Sequence, residues 1–394
     1  MIQAPTLEQI YQEKIKNLEE KIKFYENENQ LQKQYIQSLK EQIELLKEKI
    51  TNLEKNNNNS LPKSEINTIK PIEQFSSNSD VNFSEKEPIH LMTKHHANAI
   101  YCIAILKNKR LVSGGLDCKI IVYDKNYTKP ELEINEHSAA VSSLIVSSNG
   151  SLISSSCDKT LKIFKIEENV KNDKISLNYF LMQTINTNHG NNIIHVRELS
   201  SNKLVSCSLD TKLNFYLSQN NNYSLEITID MPNSVYNILE VPDEKLVLSL
   251  NGELKLFDLK TRKIIKEIKD IACYADWVND NLCLIKPNCL ATCGNNYIYI
   301  VDLVQFKLLN KINTNSNNIT LCYWNGKLIV GANNGMIQEF KVNDANLSKI
   351  SFKEKCHQGA IWQIINDDNG NLYLARMIIL SRCGIKFNCY CQIN

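Results

Sequence analysis

The chain has 394 residues, 43% hydrophobic and 22% charged, which suits one large globular unit with appendages. Forty-five Lys and Arg against 43 Asp and Glu leave a formal net charge of +2 without a dense basic run, which argues against nucleic acid or an acidic membrane surface as partner. Residues 1–14 place charges where a secretory leader needs apolar residues, and no stretch approaches the ~18 apolar residues of a membrane span, so a cytoplasmic protein without membrane insertion is expected, its 13 cysteines reduced.

Residues 7–55 are predicted to form a parallel coiled coil. Ile15, Ile22, Asn29, Ile36, Ile43 and Ile50 fall at one heptad position, with Leu18, Tyr25, Gln32, Leu39, Leu46 and Leu53 at the other. Branched Ile opposite Leu favours two parallel strands, and a lone core Asn, here Asn29, fixes register because it is satisfied only against its own copy. The flanking pairs Lys14/Glu19, Lys21/Glu26, Glu28/Lys33 and Lys49/Glu54 are opposite in sign between two copies. Self-association through residues 15–54 is therefore expected. Residues 56–87 follow as a polar linker with NNNNS at 56–60, Pro62, Pro71 and SSNSD at 76–80, a composition too poor in apolar side chains to offset chain ordering, so disorder is expected.

From residue 88 to 394 the sequence repeats. A turn pair leading into a short apolar strand recurs at NKRLVSGGLD from Asn108, GSLISSSCD from Gly150, NKLVSCSLD from Asn202, EKLVLSLNG from Glu244, NCLATCGNN from Asn288, GKLIVGANN from Gly326 and GNLYLAR from Gly370. Six of the seven are followed by a second strand with an aromatic or aliphatic ending, as in KIIVYD, TLKIFK and ELKLFD. Asp117 to Asp158 and Asp210 to Asn251 are both 41 residues apart. A period of ~40–45 residues with four short strands each resembles the WD-repeat (WD40) family.

That resemblance implies an all-β, seven-bladed WD40-type β-propeller preceded by the α-helical coiled coil. It also implies blade-fastening pairs in which a His at the start of a repeat bonds an Asp in a later turn: His96 with Asp117, His137 with Asp158 and His189 with Asp210. The family's terminal Trp-Asp dipeptide is replaced here by Tyr123-Asp124, Phe164-Lys165, Phe215-Tyr216, Phe257-Asp258, Val301-Asp302 and Phe340-Lys341, and repeats four to six lack the turn Asp. A strand at 89–92 is placed to close the ring by joining the last blade.

The seventh repeat is atypical from about residue 376. Codons compatible with RMIILSRCGIKF, read one base earlier, can spell NDNTVKVWDKV, which has the form of a seventh-repeat third strand, so a frameshift or retained intron in the gene model is expected there. Sequencing the transcript decides it.

No metalloprotease, P-loop or serine-hydrolase motif occurs, and neither Cys289/Cys293 nor Cys389/Cys391 has the partners of a zinc site. A catalytic residue, a cofactor and a metal are therefore not expected. Binding is the default for a rigid disc, and the residue after the apolar anchor of a blade's first strand is aromatic in four repeats, giving Tyr101, Tyr236, Tyr274 and Trp362 as candidate protein-binding residues at the channel rim. The expected function is a non-enzymatic scaffold or adaptor for protein or peptide partners. Adaptors of autophagy, of microtubules or cilia with cytoskeletal association, and of ubiquitin ligases share this architecture, and a catalytic propeller is the remote alternative.

Overall fold

A computed structural model describes residues 95–376 except 127–128, 172–173, 221, 272–280, 344–345, 356–359 and 368–371, together with residues 44, 47, 90, 91 and 391–393. The chain divides into two units, Met1–Asn82 and Phe83–Asn394. Of the first, only Glu44 and Lys47 are described, both helical, with Lys47 Nζ 3.1 Å from Glu44 Oε1. The predicted coiled coil, its register residue Asn29 and the linker at 56–87 otherwise lie outside the described residues.

The second unit is built from antiparallel sheets. After β1 (His90–Leu91), the first repeat forms β2 (Ile100–Ile105), β3 (Leu111–Gly115), β4 (Ile120–Tyr123) and β5 (Pro130–Ile134). The second forms β6 (Val141–Val146), β7 (Leu152–Ser156), β8 (Thr160–Lys171) and β9 (Lys174–Asn186), and the third β10 (Ile193–Glu198), β11 (Leu204–Ser208), β12 (Lys212–Gln219) and β13 (Asn222–Asp230). The fourth comprises β14 (Val235–Val241), β15 (Lys245–Leu250), β16 (Glu253–Asp258) and β17 (Lys263–Lys269). Each of these repeats is a four-stranded sheet hydrogen-bonded in chain order.

Repeats five and six run together as one six-stranded sheet of β18 (Leu282–Lys286), β19 (Cys289–Asp302), β20 (Lys307–Trp324), β21 (Lys327–Ala332), β22 (Met336–Asn343) and β23 (Asn346–Lys355). The expectation of seven separate blades is thereby corrected: the described residues form five four-stranded sheets and this one of six. The physical reason is the pairing Asn295↔Asn318, which continues the ladder across the repeat boundary; the first half of β20 pairs with β19 and its second half with β21.

The last four-stranded sheet contains β24 (Ile361–Asn366), β25 (Leu372–Arg376) and β26 (Cys391–Ile393), with β1 added beside β26 through His90↔Gln392 and Leu91↔Cys391. A strand from before the first repeat thus completes the last sheet. The innermost strands β2, β6, β10, β14, β18, β20 and β24 are neighbours in that order, and β24 returns to β2, so the sheets form a closed β-propeller.

The second strands of the repeats, such as β3, β7 and β11, are buried along their whole length because a neighbouring sheet covers each face. Alternate residues serve opposite neighbours: Val112 and Val122 meet Val141 and Leu144 of the second repeat, whereas Leu111, Ile121 and Tyr123 meet Tyr373 and Ala375 of the last sheet. Ile153 and Ile163 likewise join Ile193 and Val196. Each fully buried large apolar side chain contributes about 1.5–3 kcal/mol, so the stability lies between sheets rather than within them. One cation is also buried there: Arg110 places Nε 2.9 Å from Glu131 and its Nη1 against Glu168 of β8, tying the first sheet to the second. Among the described residues no helix is long and apolar enough to cross a membrane.

Candidate binding site and blade clasps

The three predicted His–Asp pairs are brought together. His96 Nδ1 lies 2.8 Å from Asp117 Oδ1, His137 Nδ1 2.8 Å from Asp158 Oδ2, and His189 Nδ1 3.1 Å from both carboxylate oxygens of Asp210. Each carboxylate also accepts the backbone N–H of the residue after its histidine, from Ala97, Ser138 and Gly190. A second set of N–H groups, on Lys119, Thr160 and Lys212, donates from the turn itself. The Asp side chain therefore bridges the loop before the innermost strand to the turn between the second and third strands.

Burial by itself raises the carboxyl pKa of Asp117, but the His96 hydrogen bond and charge and the N–H groups of Ala97 and Lys119 outweigh it and hold it below the usual carboxylate range. Asp158 is held far below that range in the same way, its burial outweighed by His137, the Thr160 hydroxyl and the Ser138 N–H. The His189 pKa is lowered by burial, with Asp210 opposing.

The other ring nitrogen of each histidine meets a serine the sequence reading passed over. His96 Nε2 is 2.7 Å from Ser113 Oγ, His137 Nε2 2.6 Å from Ser154 Oγ, and His189 Nε2 2.9 Å from Ser206 Oγ. The relay continues to a phenol in two repeats, with Ser113 Oγ 3.3 Å from Tyr123 OH and Ser206 Oγ 3.1 Å from Tyr216 OH. Phe164 occupies that place in the second repeat, pairing with Leu152 as Tyr216 pairs with Leu204. Tyr216, not Phe215, is thus the counterpart of Tyr123, a one-residue correction to the sequence alignment. The missed signal was legible: each serine stands four residues before its aspartate.

The candidate rim residues share one backbone feature. In six innermost strands the ladder skips a residue at the same step, and the extra residues are Tyr101, Ser142, Ile194, Tyr236, Ile319 and Trp362. A β-bulge of this kind leaves one residue unpaired and re-aims its side chain. In the fifth repeat the strand that pairs with β19 begins at Leu282, and its skip falls at Ile285. Tyr274 lies outside the described residues.

Two of the candidates meet. The Tyr101 and Trp362 rings are 5.8 Å apart at 80°, an edge-to-face contact. Ala99, Ala140 and Cys157 surround this pair, and Trp362 also packs on Ile319 and Ala360. The result is a continuous apolar strip over the bulges of repeats six, seven, one and two. Tyr101 is buried within it, contrary to an exposed rim position, because Trp362 and Ala140 cover its ring; Trp362 is half-buried. Tyr236 is half-buried on β14.

The Trp362 Nε1 is buried and has no hydrogen-bond partner among the described residues. A buried donor left unmade costs about 1–3 kcal/mol. Cys157, beside it, has its thiol pushed up to about 11 by burial and then by Asp158 and Cys118, so it is protonated at neutral pH and a poor nucleophile. Burial, with Cys157, also raises the Tyr101 phenol. Among the described residues no three His, Cys, Asp or Glu side chains converge as a metal-ligand set.

The arrangement defines a β-propeller whose sheets are fastened by buried His–Asp–Ser clasps. Residues 86–124 and 128–165 match the WD40 family, described as WD domain, G-beta repeat, and these two segments are WD40 repeats. A search of curated proteins finds no match to the chain.

Proposed function

We propose that this protein is a non-enzymatic scaffold that docks a protein or peptide partner over Trp362 and Tyr101, with Tyr236 as a separate contact on the same inner circle. The observation that carries this reading is the orphaned Trp362 N–H within an apolar strip built on successive bulges. A half-buried indole joining two apolar clusters suits an apolar side chain of a partner. WD40 propellers as a class are protein-interaction platforms, consistent with a rigid disc whose strand ends present wide surfaces. Pairing of two copies through residues 15–54 would join two such sites, so that weak contacts act together by raised effective concentration, in a cytoplasmic setting.

The test compares quantitative partner capture by the wild-type chain with that by Trp362→Ala/Tyr236→Ala. Loss of a defined set of proteins, at unchanged thermal unfolding, is the expected result; an identical partner set would sink the assignment. Solution mass of the whole chain with and without Asn29→Lys checks the dimer separately.

A further inference from the structure

The outer edge of the second sheet differs from the others. Strands β8 and β9 form a ladder that runs from Thr160↔Asn186 out to Lys171↔Lys174, and β9 ends its sheet, hydrogen-bonded on one side only. From Ile175 to Asn186 it carries no charged residue. Its side chains include Phe180 and Met182, 49% and 53% exposed, with Ile175, Leu181 and, across the ladder, Val170 also exposed. The strand is held in place near its end, where Gln183 donates from Nε2 to Tyr223 O at 2.7 Å and accepts the Tyr223 N–H at 2.8 Å. Natural edge strands are ordinarily short or blunted by charge, because a long, apolar, unpaired edge templates another strand.

We propose that β9 pairs antiparallel with β9 of a second copy of this chain, a contact distinct from the Trp362 site and from residues 15–54. Charge chooses this occupant. When a strand pairs with its own copy about a two-fold axis, residues near the centre face themselves or their mirror positions, and like charges directly opposite are destabilising. About their midpoints, β5 would set Glu131 against Glu133, β13 Glu226 against Glu226, and β17 Lys266 against Lys266. The sequence of β23 includes Lys349, Lys353, Glu354 and Lys355. The midpoint of β9 sets Phe180 against Phe180, and no register confined to residues 175–186 opposes like charges. Such self-pairing closes on itself as a dimer and leaves no further β9 edge free.

The experiment uses the full chain carrying Asn29→Lys, so that association through residues 15–54 is weakened if it occurs and unaffected if it does not. Concentration-dependent light scattering is expected to show a residual dimer, and Phe180→Lys/Met182→Lys to weaken it by about ten-fold or more in Kd, with unchanged thermal unfolding because both side chains are exposed. Equal dimerisation with and without the lysines, or a monomer throughout the accessible range, overturns the proposal. Should the double variant not fold, a photoreactive benzoylphenylalanine at Phe180 in a mixture of light- and heavy-isotope chains gives a second reading. Mixed-isotope cross-links between residues 174–186 of the two copies are expected; cross-links elsewhere, or none, refute the pairing.

Discussion

Replacing Asp158 by Asn tests the clasp most directly, because shape is kept while one acceptor and the charge are lost. The wild-type carboxylate accepts from His137 at 2.8 Å, Ser138 N at 3.1 Å, Thr160 N at 3.0 Å and Thr160 Oγ1 at 2.6 Å. The Asn carbonyl can keep the two Thr160 bonds. The amide then faces the Ser138 N–H donor to donor, leaving a partly buried donor unmet at about 1–3 kcal/mol, and the charge assistance of the histidine bond is also lost. A cost of about 2–4 kcal/mol near neutral pH is expected from urea unfolding followed by tryptophan fluorescence. The pH dependence sharpens the test. Since the folded-state carboxyl lies well below its unfolded value of about 3.9, its stabilisation is complete above that value and is lost as pH falls toward the folded value. The gap between wild type and Asp158→Asn should therefore narrow from pH 4 downward, following about 3.9 as the upper bound. A gap that stays constant down to pH 3 would refute the charge-based account of the clasp.

The serine relays should rank by what they leave behind. Ser206→Ala removes a partner from both His189 and the buried Tyr216 hydroxyl, which keeps Asn214 and Thr187, and should lower the urea midpoint more than Ser154→Ala, where Phe164 offers no hydroxyl; the reverse order would contradict the relay. Cys157, with its thiol near 11, should resist iodoacetamide at pH 7.5 and react once the protein is unfolded, as read by mass spectrometry of the labelled peptide. Gly114→Ala would place a Cβ 2.6 Å from Val141 and 2.8 Å from Cys102 in the core between the first two sheets. Overpacking of that kind costs about 1–3 kcal/mol, measurable as a lower midpoint at unchanged m-value. Arg110→Met should destabilise by about 2 kcal/mol or more in the same assay, since partly buried Glu131 loses its cation and Glu168 keeps Lys125 as its cation, 3.8 Å away.

The clasps could be read in advance because the resemblance to WD-repeat proteins implies a His at the start of a repeat bonded to an Asp in a later turn, and this sequence has both residues at the matching positions. His96, His137 and His189 each precede their aspartate by 21 residues, and a hairpin of fixed length must bring such positions together. The serines obey an equally fixed offset and were available to the same reasoning. Tyr216 in place of the expected Phe215 was available too, since it follows Asp210 by six residues as Tyr123 follows Asp117 and Phe164 follows Asp158.

The sequence by itself determined an all-β repeat of sheets, from its period and apolar pattern, and its resemblance to WD-repeat proteins pointed to the three His–Asp pairs. Only tertiary structure decided the rest. The pairing Asn295↔Asn318 that merges repeats five and six joins backbones whose side chains carry no pairing code. Tyr101 and Trp362 meet across 261 residues because the ring closes, and the same closure buries the tyrosine that looked like a rim anchor. The exposure of β9 likewise depends on how far the neighbouring sheet reaches. Local rules state which residues want burial, while the packing of one sheet on the next decides which of them receive it.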